Sequence, residues 1–270
     1  LRLYHCAWIL PALLAALLSI SPAPAGESGN CAWALAPDAV AAAESSELAP
    51  EFDILSWNIQ KASNRGWDTD LASFADGVEL AFIQEASLQA QLAQVIPGPY
   101  HGCFAEGYTT PDRNTGVLTL STGAPSGHCQ LTSVEPWLGT PKASNITVHP
   151  LRDREYNLLA INLHAVNFEF GLEGLDSQFR ALREVLGAHE GPVIFAGDLN
   201  TWSSDRQALV DDFMGEYGLA SISFEPDLRT QAFGRALDHI YVRGLRAEEA
   251  QVIPVTSSDH NPLRVRLSLQ

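Results

Sequence analysis

The stretch from Val193 to Trp202 constrains the fold and function of this chain more than any other. Four apolar residues follow Pro192 and predict a buried strand, and Asp198 and Asn200 stand two residues apart where that strand ends. Because side chains alternate along a strand, both would point to the same side. A carboxylate that activates water, next to a carboxamide, suits attack on a phosphate ester. A turn shaped by these two residues is the alternative that this stretch alone leaves open.

Polar residues stand at the ends of other apolar runs in the same way. The side chains concerned carry carboxylate, amide and imidazole groups: Asn58, Glu85, His164, Asp259 with His260, and Asp238 inside its run. Ends of neighbouring strands converge, and ligand sites on sheet proteins gather there. Oxygen-rich donors without a cysteine–histidine cluster suit Mg²⁺ or Mn²⁺ better than zinc.

Strand patterns dominate the chain, with helical spacing at Trp67 to Phe74, Ser177 to Ala188 and Asp205 to Met214. This order predicts a layered α/β or α+β fold built on packed sheets. A polar loop is expected between Cys103 and Val117. The sequence has no glycine-rich phosphate loop and no internal repeat.

The N-terminal residues predict targeting and linker segments. Residues 1–25 combine Arg2, an apolar run from Cys6 to Ile20 and Ala23-Pro24-Ala25, which predicts a signal peptide and export to the periplasm or outside the cell. An uncleaved membrane anchor is the alternative. Residues 26–50 predict an acidic linker rich in Ala, Ser and Pro, and residues 51–270 predict one catalytic domain.

The formal charge of −16 disfavours tight unaided binding to nucleic acid or to an anionic membrane. This negative charge does not exclude an enzyme that binds phosphate groups locally through a metal ion. In an oxidising compartment, Cys103 and Cys129 could form a disulfide that leaves Cys31 over, although unpaired thiols fit the sequence as well.

The motifs, taken in order, resemble the endonuclease/exonuclease/phosphatase superfamily of metal-dependent phosphoesterases, in a bacterial branch of unassigned substrate. The resemblance covers residues 52 to 270 and rests on an ordered set of short motifs: Ser56-Trp57-Asn58, Gln84-Glu85, Asn114-Thr115-Gly116-Val117, Leu163-His164, Gly197-Asp198-Leu199-Asn200, Leu237-Asp238 and Ser258-Asp259-His260-Asn261-Pro262. Each motif is weak alone, and the ordered set is specific.

The resemblance implies a four-layer α/β/β/α sandwich of two mostly antiparallel sheets flanked by helices. It implies that Glu85 and Asn58 hold Mg²⁺ or Mn²⁺, with Asp259 nearby, either beside these ligands without binding the ion or as a ligand of a second metal ion.

The remaining motif residues receive catalytic roles from the same resemblance. Asp198 would orient or deprotonate the attacking water, and Asn200 would bind a phosphate oxygen. His260, oriented by Asp238, would contact the phosphate, and His164 would protonate the leaving oxygen. These roles fit a transition state that needs a cation, fixed donors and a base.

Other residues are candidate substrate contacts. Tyr108, Arg113 and Asn114 lie in the expected loop but do not match the phosphate-binding loop of the abasic-site enzymes. Arg235 either contacts phosphate or forms a surface ion pair. Trp202 either stacks on the substrate or packs behind the Asp198 loop.

The resulting hypothesis is an exported, monomeric, Mg²⁺- or Mn²⁺-dependent phosphodiesterase with no obligate protein partner and with nucleic acid as the preferred substrate. A lipid or small-molecule phosphoesterase, similar to sphingomyelinases or inositol-phosphate phosphatases, is the first alternative. A binding protein with an inactive site on the same fold is the second.

Overall fold

A computed structural model of the protein describes residues 47–135, 138–169 and 171–270. In this part the helices are α1 (Trp67–Phe74), α2 (Glu173–Ala188) and α3 (Ser204–Glu216). The strands are β1 (Glu51–Asn58), β2 (Leu80–Ser87), β3 (His101–Thr110), β4 (Arg113–Ser121), β5 (Gly127–Val134), β6 (Pro141–Pro150), β7 (Asn157–His164), β8 (Val193–Asp198), β9 (Ala220–Ser221), β10 (Gln231–Ala232), β11 (Arg235–Ala236), β12 (Asp238–Arg243), β13 (Leu245–Val252) and β14 (Leu263–Leu269).

The predicted signal peptide, and the predicted linker up to residue 46, lie outside the described residues. Leu48, near the end of the predicted linker, is buried in the core and bridges to Leu151. None of the helices in the described part of the chain has the length and apolar character needed to cross a bilayer.

The strands of the described residues form two six-stranded sheets and a small hairpin of β10 and β11. The first sheet has the order β13-β14-β1-β2-β4-β3, and the second has the order β5-β6-β7-β8-β12-β9. Only two adjacent pairs are parallel, β1 with β2 and β7 with β8. This confirms the predicted sandwich of two mostly antiparallel sheets with helices on the outside.

The core follows the alternation of side chains along the strands. In β8, Val193 and Phe195 pack with the residues of α2 and α3, whereas Ile194 and Ala196 pack between the two sheets. Apolar residues therefore occupy both faces of β8, which explains why its sequence is a continuous apolar run rather than an alternating one.

Helices cover the outer face of each sheet. Phe179 of α2 stacks on Phe213 of α3 with ring centroids 4.5 Å apart, and both belong to the core cluster outside the second sheet. Leu71 of α1 packs with Trp57 and Ile83 outside the first sheet. Helix α1 has the predicted bounds, while α2 begins at Glu173, four residues before the predicted start.

The prediction of a polar loop between Cys103 and Val117 is wrong. This segment is a long β-hairpin in which β3 and β4 pair as far as Thr110 and Arg113. Tyr108, Arg113 and Asn114 therefore lie in strands. Pairing with β3 outweighs the low strand propensity of Asn114, whereas Tyr108 favours a strand by itself.

The prediction of a disulfide between Cys103 and Cys129 is also wrong. Cys103 is a free thiol, whereas Cys129 is disulfide-bonded, so the two are not joined to each other. Cys103 lies in β3 of the first sheet and Cys129 in β5 of the second. Their spacing in the sequence carried no information about which sheet each strand joins.

Candidate active site

The predicted site residues meet in the gap between the two sheets. In β8, Ile194 and Ala196 face the opposite sheet, and Asp198 continues that alternation at the strand's end. The same alternation brings three further predicted residues, all buried, to the gap at the ends of β1, β7 and β12: Asn58, His164 and Asp238. The apolar contact between the sheets is thus replaced by polar groups at one end of the sandwich.

Glu85 reaches this gap because its strand is irregular. Gln84 has the inward position in β2, and its amide donates to Asn162 Oδ1 at 2.8 Å in the opposite sheet. Regular alternation would turn residue 85 away from the gap. The pairing of β2 with β4 shifts between Ile83 and Ala86, and Glu85 has a φ of 49°. This β-bulge re-aims the Glu85 carboxylate into the cavity that it lines.

Asp198 Oδ2 is the atom on which the other groups converge. Asn58 Nδ2 donates to it at 3.0 Å, and His164 Nε2 and His260 Nε2 lie 3.5 and 3.9 Å away. Burial raises the pKa of Asp198 to about 6, which the charge of His260 opposes and that of Asp238 assists. A carboxylate with this pKa is ionised at neutral pH and can still accept a proton.

The turn after β8 is held tightly against the end of β7. A Cβ on Gly197 would lie 1.9 Å from the Leu163 carbonyl oxygen, so only glycine permits this approach. Asn200 has a φ of 51°, and its backbone N–H donates to Asp198 Oδ1 at 3.1 Å. One Asn200 Nδ2–H donates to the Ala165 carbonyl at 3.1 Å, which leaves the other available to a ligand.

His260 and Asp238 form a close pair. His260 Nδ1 lies 2.8 Å from Asp238 Oδ2, and Trp57 Nε1 donates to the His260 carbonyl at 2.9 Å. Burial lowers the pKa of His260, but the carboxylates of Asp238 and Asp198 raise it more, to about 10. His260 is therefore positively charged at neutral pH, and its Nε2–H faces the Asp198 side of the site.

His164 is paired with a lysine that the sequence did not single out. Lys142 Nζ lies 2.9 Å from His164 Nε2 and 3.7 Å from Glu135 Oε1. Burial lowers the pKa of His164 well below its usual value, and the nearby charges of Lys142 and His260 lower it further. Since an ammonium group can only donate, Nε2 of the neutral His164 is the acceptor.

A cavity of about 210 Å³ opens beside these groups. Its charged and polar lining includes Lys61, Glu85, Lys142 and His164. Tyr108, Leu138 and Phe168 also line it. The lining of the cavity thus combines charged groups with apolar side chains.

The family model for the endonuclease/exonuclease/phosphatase family matches residues 55–260, which include every group described above. The chain belongs to this family.

A sequence relative and two solved structures are similar to this chain. A UPF0294 protein of Vibrio vulnificus is 37% identical over 219 residues, which cover 80% of this chain and 77% of that protein. The fold is similar to that of an endonuclease/exonuclease/phosphatase from Beutenbergia cavernae, with a TM-score of 0.64, 15% identity and coverage of 81% of this chain and 72% of the other. A mannosyl-6-phosphatase of Bacteroides thetaiotaomicron gives a TM-score of 0.61, 17% identity and coverage of 81% and 100%.

Enzymes of the endonuclease/exonuclease/phosphatase family generally require a divalent metal, and two donor sets of this chain could serve. Ligand atoms of Asp198, Asp238 and His260 lie within 4.8 Å of one another. However, His260 Nδ1 already hydrogen-bonds Asp238, and the positive charge of His260 opposes a cation. We therefore interpret these three residues as a hydrogen-bonded group rather than as the metal site.

The second donor set fits a hard divalent ion better. Glu85 and Asn58 present oxygen donors on the neighbouring strands β2 and β1, as Mg²⁺ and Mn²⁺ prefer. Lys61 Nζ lies 2.5 Å from Glu85 Oε2, so this carboxylate already binds a cationic group. Asp259 is exposed next to His260 and raises the pKa of His260 through its charge.

The predicted substrate contacts lie in different parts of the structure, and only one of them lines the cavity. Tyr108 lines the cavity, whereas Arg113 and Asn114 lie in β4 and are not among its lining residues. Arg235 is exposed on β11 and makes no ion pair with a described residue. Trp202 is half-buried, and its Nε1 donates to Asn167 Oδ1 at 2.9 Å.

A buried ion pair supports the loops that carry these groups. Arg206 Nε donates to the Asn200 carbonyl at 2.7 Å, and its Nη2 donates to the Val166 carbonyl. Arg206 Nη1 lies 3.1 Å from Glu169 Oε1, and Glu169 also accepts the first backbone N–H groups of α2. The pair therefore joins the loop after β7 to the turn after β8.

Sequence reasoning missed Lys61, Lys142, Glu169 and Arg206. Lys61 stands three residues after Asn58, which was a usable signal for a cation near the predicted metal ligands. Lys142 has no motif around it. Arg206 looks like an ordinary charged residue of a surface helix, and only the fold shows that it is buried.

Proposed function

We propose that the protein is a divalent-metal-dependent hydrolase that cleaves phosphodiester bonds by in-line attack of water. The observation that carries the proposal is the convergence of Asn58, His164 and His260 on the Asp198 carboxylate, beside a cavity lined by Glu85. A base, fixed donors and a cation site next to one cavity are what phosphoryl transfer to water requires.

The attacking side of the site is built around Asp198. Its carboxylate takes a proton from water as the water oxygen bonds to phosphorus. The charged His260, held by Asp238, and the free N–H of Asn200 donate to the phosphoryl oxygens, where negative charge increases.

The leaving side is built around Lys142. In a diester the leaving group is an alkoxide, which needs a proton or a positive charge as the P–O bond breaks. Lys142 is the ammonium group nearest to His164, and the hydrogen bond to His164 Nε2 holds it at the cavity. We assign Lys142 to the leaving oxygen and His164 to the placement of Lys142.

Glu85 and Asn58 would hold the divalent ion, with Asp259 nearby, and the ion would offset negative charge on the phosphate. The balanced reaction adds one water across one P–O bond, so that the hydroxyl goes to phosphorus and a proton goes to the leaving alcohol.

We also propose that the protein is exported, and three observations bear on the class of its substrate. The family resemblance favours nucleic acid, while the charge of −16 opposes a polyanion. One structural neighbour is a mannosyl-6-phosphatase, so a phosphomonoester belongs among the substrates to be tested. The apolar run from Cys6 to Ile20 supports export.

The proposal is tested by assaying the full chain with Mg²⁺ or Mn²⁺, with and without a chelator. The substrates are plasmid DNA, RNA, sphingomyelin, an inositol phosphate and a sugar phosphate. We expect metal-dependent release of product from at least one diester, and loss of that activity in Asp198→Asn.

A matched control is Asp205→Asn, which removes an exposed carboxylate at the start of α3. It should keep full activity. Absence of turnover on every phosphoester would refute the enzyme hypothesis, and turnover of monoesters alone would refute diester cleavage.

A further inference from the structure

Large apolar side chains surround the mouth of the cavity, although they are exposed to water. The exposed fractions are 89% for Phe233, 62% for Leu138, 56% for Phe168 and 46% for Tyr108. We call these four residues the apolar rim. Three of them line the cavity itself.

Contacts on the surface connect the fourth residue, Phe233, to the others. The Phe233 ring lies against Trp202, with centroids 6.2 Å apart, and Trp202 is hydrogen-bonded to Asn167. Asn167 directly precedes Phe168, which lines the cavity. The apolar rim therefore continues from the cavity wall to the β10–β11 hairpin.

Phe233 stands at a backbone position that does not favour an aromatic residue. It occupies the tip of the hairpin with a φ of 52°, followed by Gly234 with a φ of 76°. Such turns favour Asn, Asp or Gly, and an aromatic residue there is unfavourable. Its ring is 89% exposed and buries little apolar surface within the described structure, so it is available for contact outside the chain.

We propose that the apolar rim docks on a zwitterionic lipid surface, which presents a phosphoester headgroup to the cavity. This inference rests on the proposed function for the chemistry, but not for the docking. Exposed aromatic and aliphatic side chains around a polar site match the boundary between headgroups and acyl chains.

The net negative charge of the protein favours a zwitterionic lipid surface over an anionic one. A formal charge of −16 disfavours anionic bilayers and nucleic acid, whereas a zwitterionic surface imposes no net repulsion. If the apolar run from Cys6 to Ile20 is the uncleaved anchor that the sequence allows as an alternative, it would also keep the chain at a membrane.

The test places a reporter on the rim in the full chain. Phe233→Cys carries a polarity-sensitive dye, and Tyr156→Cys carries the same dye as the matched control. Tyr156 is also an exposed aromatic residue, but it precedes β7 at the end of the sandwich opposite to His164. The Asp198→Asn substitution is included in both proteins, so that no substrate is consumed.

We expect phosphatidylcholine vesicles to shift the emission of the dye at position 233 to shorter wavelength and to leave the dye at position 156 unchanged. Added phosphatidylserine should weaken the shift. Because the N-terminal segment and Cys103 are the same in both proteins, a difference between them reports the rim alone.

A second measurement compares soluble and vesicle-bound esters with the same headgroup. Phe233→Ser should lower turnover of the vesicle-bound ester about tenfold, as expected for one lost aromatic contact with lipid, and should leave turnover of the soluble ester unchanged.

Equal dye signals at the two positions, a requirement for phosphatidylserine, or a shift with single-stranded DNA and not with vesicles would overturn the inference. The dye experiment needs no turnover. An inactive protein that still docks would therefore contradict the proposed function alone, and an active protein without a dye shift would contradict the inference alone.

Discussion

The guanidinium group of Arg206 lies 3.1 Å from the carboxylate of Glu169, and both side chains are almost fully buried. Arg206 also holds the backbone carbonyls of Asn200 and Val166, in the two loops that follow Asp198 and His164. Neither charged group lies among the residues that line the cavity. The geometry of the candidate site thus depends on an ion pair outside the cavity.

Glu169→Gln should lower kcat by about tenfold or more, with a smaller change in KM, because misplacement of the catalytic groups affects the transition state most. It should also destabilise the fold by about 3–5 kcal/mol, since a buried arginine loses its partner. Steady-state kinetics and urea unfolding measure the two effects. The exposed pair of Arg183 and Glu216 supplies the control, because Glu216→Gln should change neither quantity measurably.

Asp198→Asn should lower kcat by about 10²–10⁴-fold, because the amide cannot accept the proton of the attacking water. The amide has nearly the same shape as the carboxylate, so the thermal midpoint should change little. If kcat falls less than tenfold, Asp198 is not the base.

The pH dependence of kcat/KM should be bell-shaped. Activity requires ionised Asp198 and protonated His260, so it should rise with pH through about 6 and fall through about 10. Asp238→Asn should move both limbs to lower pH, because the Asp238 carboxylate raises both pKa values. If both limbs of the Asp238→Asn profile stay at their wild-type pH, these assignments are contradicted.

Removal of divalent metal with a chelator should abolish turnover, and Mg²⁺ or Mn²⁺ should restore it. Glu85→Gln should raise the metal concentration needed for half-maximal activity by more than tenfold, because it removes the charged ligand. The matched change Glu106→Gln, at an exposed position of the edge strand β3 in the same sheet, should leave that concentration unchanged. Metal titrations followed by activity, and by calorimetry without substrate, make the measurement.

Lys142→Met should lower kcat on a diester with a poor leaving group more than on one with a good leaving group such as nitrophenol, because only the former needs the ammonium charge. Lys142→Arg should restore part of the loss. Equal losses on both esters would place Lys142 in substrate binding instead.

The strand-end positions of the site could be predicted from the sequence, and the rest could not, for physical reasons. Asn58, His164 and Asp198 end apolar runs and Asp238 lies inside one, and the alternation along a strand fixes the face on which each lies. Glu85 also stands at the end of an apolar run, but its orientation depends on a bulge that the residue pattern does not reveal.

No local sequence pattern identifies residues whose partners are far away in the sequence. Lys142 and His164 are 22 positions apart, and Arg206 and Glu169 are 37 apart. Such pairs depend on which strands and loops become neighbours, and hydrophobic periodicity does not encode that. The same reason explains the wrong assignment of the disulfide between Cys103 and Cys129.

The two sheets each supply part of the site, with Asn58 and Glu85 in one and His164, Asp198 and Asp238 in the other. Catalysis is therefore sensitive to how the two halves of the sandwich are docked, and not only to whether each sheet is formed. In mild denaturant, loosening of the contact between the sheets would abolish turnover while the circular dichroism of the strands is still intact. Enzymatic activity would then report an early, partly open state of the native protein that spectroscopy of secondary structure does not detect.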